Sequence, residues 1–261
     1  MKLRNQESAL KELKLSAENF RHNILIEGAE GVGKSYLAKQ YAKMLNIDDF
    51  QIIESKVSTI REMIEGCAAL TTPIVLCIEN LDTGVASASY ALLKFLEEPS
   101  PNVFIVVTCR NINHLPDTIA SRSAVITVTH NSESDLTEYA RTKNGGQFQK
   151  IKNTPIWKTA KSVKDVGLLL DMTLPQIEHI KSAVDGLNTK DSVSSMIWKF
   201  CKYPDGTPIP LELLIKYIMV TAKSSAIRKS AHECINALTF GRISSRAVLA
   251  KFLFEYKYAM N

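Results

Sequence analysis

Residues suited to crosslinks or metal capture are few in this chain of 261 residues. Its five cysteines, at 67, 77, 109, 201 and 234, form no C-x-x-C pair, which argues against a disulfide framework and a zinc ribbon and suits a reducing cytosol. His22, His114, His130, His179 and His232 lie far apart and never in H-x-x-x-H spacing, so no metal site is expected among them. Long apolar runs are missing too. The longest, Pro73 to Ile78, falls far short of the roughly 20 residues that span a bilayer, so no membrane contact is expected. The first residues, Met1-Lys2-Leu3-Arg4-Asn5-Gln6-Glu7, are polar and lack the apolar core of a secretory signal. The chain is therefore expected to stay in the compartment where it is made. Tryptophan occurs twice, and Trp157 and Trp198 read as packing anchors of helices rather than base-stacking platforms.

What is present describes an ordinary globular protein: 45% apolar and 23% charged side chains, with no repeat and no low-complexity tract. The net charge of +5 is uneven. Residues 1–130 carry 13 Lys and Arg against 15 Asp and Glu, whereas residues 131–261 carry 19 against 12. A basic second half suits a polyanion or simply a solvated helical surface. Lys216, Lys223, Arg228, Lys229, Arg242 and Arg246 are its candidate contacts.

Between Asn23 and Thr129 short apolar runs alternate with amphipathic stretches, the pattern of a parallel sheet flanked by helices. Five strands are predicted at Ile24–Glu27, Gln51–Glu54, Ile74–Ile78, Val103–Thr108 and Ala124–Val128. Helices are predicted at Ser35–Leu45, Thr59–Leu70 and Ser87–Glu97, with a helical turn near Asp117–Ala120. After His130 only helical patterns remain: Asp135–Thr142, Trp157–Leu170, Leu174–Val184, Ser192–Phe200, Leu211–Ala222, Ala226–Phe240 and Ser244–Met260. Breaks are expected at Asn144-Gly145-Gly146, at Asp185-Gly186 and in the turn cluster Pro204–Pro210. The fold class is thus α/β, with residues 1–130 a compact α/β domain, 131–188 a small helical lid domain and 189–261 a helical C-terminal domain.

Gly28-Ala29-Glu30-Gly31-Val32-Gly33-Lys34-Ser35 fits G-x-x-x-x-G-K-[ST] in full. It follows an apolar strand and opens a helix at Tyr36, which is the context a phosphate-binding loop needs. Glycines let backbone N–H groups converge on a phosphate. Lys34 offers a charge to the β- and γ-phosphates, Ser35 a hydroxyl to Mg²⁺, and the helix N-terminus its positive end. Gly28, Ala29, Glu30, Gly31, Val32, Gly33, Lys34, Ser35 and Tyr36 are the candidate nucleotide-binding residues.

A second element is expected where a neighbouring strand ends in an acid that holds the metal and a carboxylate that polarises the attacking water. Ile78-Glu79-Asn80-Leu81-Asp82 supplies it. Glu79 takes the metal side, but Asn80 stands where the base belongs, and an amide accepts no proton. Binding without efficient hydrolysis follows. Asp82 could substitute as base, although two residues on it suits a cap or turn better.

These residues, together with Ala91-Leu92-Leu93-Lys94-Phe95-Leu96-Glu97-Glu98-Pro99 and Ile119-Ala120-Ser121-Arg122-Ser123, resemble the AAA+ clamp-loader subunits, in particular the bacterial DNA polymerase III delta-prime family. The resemblance covers about residues 20–130. It implies an AAA+ P-loop domain with a helical lid and a collar-like C-terminal domain. It implies ATP and Mg²⁺ as cofactors, Thr108 as the sensor-1 residue, with Asn111 the second candidate, and Arg122 as an arginine finger reaching a neighbouring subunit. A guanidinium suits that task because it is always charged and presents a planar fork to phosphate oxygens. Ser123 replaces the cysteine of the family's S-R-C motif. No sensor-2 arginine is found, and Lys161 and Lys164 lie in a suitable helix without matching a pattern.

The implied partners are other clamp-loader subunits in a hetero-oligomeric ring, a sliding clamp, primed DNA through phosphate contacts, and the polymerase holoenzyme, in the cytoplasm of a bacterial or phage-infected cell. The family's closely spaced zinc cysteines are missing and the chain is short, which fits a reduced phage or plasmid version. The alternative is an AAA+ helicase loader. That reading expects an acidic pair at the strand end and leaves the L-L-K-x-L-E-E-P block unexplained.

Overall fold

The computed structural model describes residues 6–67, 70–185, 187, 192–240 and 244–259. Gly186, Arg242, the side chain of Trp198 and the lid boundary at 188 lie outside the described residues. Two compact units result, residues 1–139 with 162–164, and residues 140–161 with 165–261.

The first unit begins with a helix absent from the sequence reading, α1 (Glu7–Glu18). Strands β1 (Asn23–Gly28), β2 (Phe50–Glu54), β3 (Ile74–Glu79), β4 (Val103–Cys109) and β5 (Ala124–Val128) form a parallel sheet in the order β2-β3-β4-β1-β5. Between them lie α2 (Lys34–Met44), α3 (Val57–Cys67), α4 (Ala86–Glu97) and the short α5 (Asp117–Ser121).

Successive strand residues point to opposite faces, and the core divides accordingly. Ile24, Ile26, Val75, Cys77, Phe104, Val106, Ile126 and Val128 pack with Leu13 of α1 and Leu37 and Tyr41 of α2. Leu25, Leu76, Ile78, Ile105 and Val107 pack with Ile60 of α3, Leu92 of α4 and Ile119 of α5. Because β1 leads to a helix on one face while β3 and β4 lead to helices on the other, the strands' carboxyl ends open a crevice where ligands bind in sheets of this kind.

The second unit is helical. Helices α6 (Glu133–Ile151) and α7 (Val163–Asp171) each have residues in both units, and α8 (Leu174–Asp185), α9 (Val193–Cys201), α10 (Leu211–Thr221), α11 (Ser225–Phe240) and α12 (Ser245–Ala259) follow. The break expected at Asn144-Gly145-Gly146 is met, and the helix expected over Trp157–Leu170 is corrected. The Gly-Gly break is a kink inside α6: Asn144 leaves helical geometry (φ −156°, ψ 81°) and its Oδ1 accepts the Gln147 N–H at 3.1 Å, capping the second segment. The helix expected over Trp157–Leu170 is instead a 3-10 turn at Pro155–Thr159, a bend, and then α7. Trp157 is buried there, edge-on to Phe148 at 4.9 Å, as a packing anchor.

Lys216 is no free member of the basic surface, since its Nζ is paired with Asp165 at 2.8 Å and Glu212 at 2.7 Å. Among the described residues no helix is long and apolar enough to cross a membrane.

All five cysteines are free, and only Cys201 is half-exposed. Burial pushes the Cys77 and Cys109 thiols up to about 12 and Cys234 up to about 11, which suppresses the reactive thiolate. A thiol reagent at neutral pH is therefore expected to label one site quickly in the folded protein, Cys201. Fast reaction of a second thiol before denaturant is added would contradict this burial.

Candidate nucleotide-binding site

The loop Gly28–Ser35 leaves the carboxyl end of β1 and returns as the first turn of α2. Gly31 (φ 76°) and Gly33 (φ 101°) hold left-handed backbone that side-chain-bearing residues avoid. Space excludes a side chain as well. A Cβ on Gly28 would meet the Val128 carbonyl oxygen at 2.9 Å, and one on Gly31 would meet Ser162 Oγ at 2.5 Å. The segment Ser162–Lys164 thus belongs to the first unit and lies on the loop. From the other side, buried Gln6 donates from Nε2 to the Val32 carbonyl at 2.9 Å.

Lys34 is 7% exposed and donates to the carbonyls of Gly28 at 2.7 Å and Ala29 at 3.0 Å. Burial lowers its pKa and the Arg110 guanidinium lowers it further, against the opposing fields of Asp82, Cys109 and Glu30. An ammonium so placed gains from an anion. The Ser35 hydroxyl donates to Glu79 Oε1 at the end of β3, joining the two oxygen groups expected to hold Mg²⁺. Loop, lysine and oxygen pair all fit a nucleotide with Mg²⁺. Among the described residues no group of three or more His, Cys, Asp or Glu is placed to hold a metal ion.

The residues after β3 are built into the scaffold. Asn80 takes left-handed geometry (φ 49°, ψ 50°), which asparagine tolerates, and its N–H donates to Thr108 Oγ1 at 2.9 Å. Thr108 is 1% exposed, and its hydroxyl supports the turn beside Glu79 by accepting that N–H, a bond that does not use the hydroxyl's own proton. Asp82 Oδ2 accepts the N–H groups of Arg110 at 3.0 Å and Asn111 at 3.3 Å, which makes it a clasp between the β3 and β4 ends rather than a spare base. Replacing Asp82 by Ala strands both donors and is expected to cost about 1–3 kcal/mol, read as a lower urea midpoint. An unchanged midpoint would remove Asp82 from this role.

Arg110 is the residue that sequence reasoning missed. It follows β4 directly, and its Nη2 lies 3.0 Å from Glu30 Oε2 in the loop. Lys164, not Lys161, joins the same carboxylate, with Nζ 2.5 Å from Glu30 Oε1. A cation just past an apolar strand was the available signal, since strand ends of a parallel sheet face the ligand crevice. Asn111 caps its own turn through Oδ1 to the Asn113 N–H at 3.0 Å.

Arg122 stands apart. It directly follows α5, and there Nη2 meets Glu97 Oε1 at 2.6 Å and Nη1 donates to the Thr118 carbonyl at 3.1 Å. Its own carbonyl accepts from Asn23, the first residue of β1, at 3.2 Å. The phosphate loop leaves the other end of that strand, after five rises of about 3.3 Å, or about 16 Å.

The family described as "DNA polymerase III, delta subunit" matches residues 48–132, a stretch with Glu79, the Leu92–Pro99 block and Arg122 but not the loop. The sliding-clamp-loader large subunit of Escherichia phage RB69 is 24% identical over 193 residues, or 71% of this chain and 60% of that protein. The chain thus spans 60% of that relative's length. A DNA polymerase III gamma subunit-related protein of Thermotoga maritima superposes with a TM-score of 0.57 at 15% identity, covering 97% of this chain and 99% of that one. The RuvB Holliday junction branch migration motor of the same organism gives 0.51 at 15% identity, covering 94% and 81%. The chain has the AAA+ fold and is similar in sequence to the clamp-loader subunits of that class.

Proposed function

We propose that this chain is a nucleotide-binding subunit of a clamp loader of DNA replication, which binds ATP with Mg²⁺, hydrolyses it weakly or not at all, and lends Arg122 to a neighbouring subunit. The observation that carries this reading is the strand, loop and helix at Gly28–Ser35 with the Glu79 carboxylate against the Ser35 hydroxyl, followed at once by an amide. Backbone N–H groups of the loop and the Lys34 ammonium hold the phosphates. Ser35 and Glu79 hold the ion. Bound ATP supplies a γ-phosphoryl group that the surrounding cations register. Asn80 removes no proton from water, so turnover is slow in this chain taken alone.

The position of Arg122 supports a role in trans. It lies at the amino end of β1 while the loop lies at the carboxyl end, so its reach suits another subunit's site. Its partner Glu97 is 49% exposed, and a pair this open holds it by only about 0–1 kcal/mol. In this reading residues 131–188 form a lid and 189–261 a collar, in a hetero-oligomeric ring working in the cytoplasm. The other subunits, a sliding clamp, primed DNA touched through its phosphates, and the polymerase holoenzyme are the partners. Lys223, Arg228, Lys229 and Arg246 remain as collar or DNA contacts, and binding to DNA through them would weaken with salt. A helicase loader draws no support from the relatives.

The test is ATP turnover by the purified chain alone and then with a motor subunit, clamp and primed DNA. Negligible turnover alone with strong stimulation in the mixture is expected. A mixture no faster than the motor subunit by itself would remove the chain from the loader.

A further inference from the structure

Glu30 places a carboxylate in the phosphate loop itself, where it opposes incoming phosphates with like charge. Its two oxygens are engaged, Oε2 by Arg110 at 3.0 Å and Oε1 by Lys164 at 2.5 Å. The two cations arrive from separate places. Arg110, its side chain 20% exposed, enters from the end of β4 with its N–H held by Asp82. Lys164 enters from the segment lying on Gly31. Lys34 of the same loop is a third cation, its pKa lowered by burial and further by the Arg110 guanidinium. Three cations therefore crowd the loop, and the loop's own carboxylate holds two of them.

We propose that Glu30 is an internal counter-anion that competes with nucleotide phosphates for Arg110 and Lys164, and so sets the preference of this site for a triphosphate over a diphosphate. The proposal rests on the reading of the loop as an ATP site. A carboxylate carries one charge on two oxygens, whereas a terminal γ-phosphate group carries about two on three acceptor oxygens, and ATP exceeds ADP by about one charge placed one phosphate further along the loop. Moving Arg110 and Lys164 from Glu30 to such a group is favourable in a partly buried site, where charges are weakly screened. Two phosphates already engaged by loop N–H groups and Lys34 leave little to displace the carboxylate. The bare loop is thus self-neutralised and opens its cations only to the longer polyphosphate.

The experiment is equilibrium titration of the full chain with ATP and with ADP, each with Mg²⁺, for the wild type, Glu30→Gln, Arg110→Gln and the double variant. Glu30→Gln is expected to tighten ATP about tenfold and ADP less than about threefold. Arg110→Gln weakens ATP about tenfold, leaves ADP nearly unchanged, and removes most of the gain from Glu30→Gln in the double variant. Glu30→Asp, which keeps the charge, tightens ATP less than Glu30→Gln and serves if the latter unfolds. Weaker ATP binding by Glu30→Gln, equal changes for ATP and ADP, or a gain that survives without Arg110 would overturn the proposal while leaving the loop assignment standing. A wild type that binds neither nucleotide would overturn both.

Discussion

Replacing Lys34 by Ala is expected to weaken nucleotide binding by about 100-fold or more while leaving the fold intact. Hydrogen bonds to charged groups contribute about 1.5–3 kcal/mol each, and every 1.4 kcal/mol is a factor of ten in affinity. The same substitution has the opposite tendency for stability. Burial and Arg110 both disfavour the charged ammonium, so its folded pKa lies below the ordinary 10.5. Between those two values the unfolded chain binds more protons, and stability contributed by this group rises with pH through that window. Below it, the buried charge is a standing cost that Ala removes. Lys34→Ala strands the Gly28 and Ala29 carbonyls but removes that buried charge, so its melting temperature should stay close to the wild type's at neutral pH. Retained affinity would refute the phosphate-loop assignment, and a collapse of the melting temperature would show that Lys34 serves the fold rather than the ligand.

The second large effect is expected at Arg122. Its replacement by Ala should leave this chain's own ATP affinity unchanged, because the Arg122 backbone stands at the amino end of β1, its guanidinium is held by Glu97 and Thr118, and the loop leaves the other end of that strand. In the assembled loader the same change should slow hydrolysis about a thousandfold, the low end of what an arginine finger supplies. Arg122→Lys should rescue little, since an ammonium lacks the planar fork. Stability should barely move, because the Glu97 pair is half exposed. Loss of nucleotide affinity in the isolated chain, with normal turnover in the complex, would reverse the assignment from trans to cis.

What the sequence disclosed and what it concealed follow from how far apart the partners stand. The loop Gly28–Ser35 is contiguous, and its glycines, lysine and serine act through local backbone geometry. The strand that ends in Glu79 was legible for the same reason, as five apolar residues in succession. Thr108 and Asp82 were harder, because each acts on a residue 28 positions away, across the β3–β4 pair. Only the strand order, which puts β3 beside β4, makes Thr108 a support for Asn80.

Arg110 was hidden by the same ignorance of neighbours. No spacing rule connects it to Glu30, 80 residues earlier, until β4 is known to lie beside β1. Helix α1 was overlooked because its exposed face is densely charged, although Ala9, Leu10, Leu13 and Ala17 keep one side apolar. At Asn144 the local signal was right about irregularity and wrong about its extent. A side-chain cap let the next helical turn start without a loop.

The measurement that bears most directly on the account is made on a single sample of the purified chain: titration with ATP and Mg²⁺, followed by phosphate release under the same conditions. Saturable binding, absent in Lys34→Ala, with no release above background is the predicted result. Brisk release by the chain alone would contradict the reading of Asn80, and no saturable binding at all would contradict the nucleotide site itself.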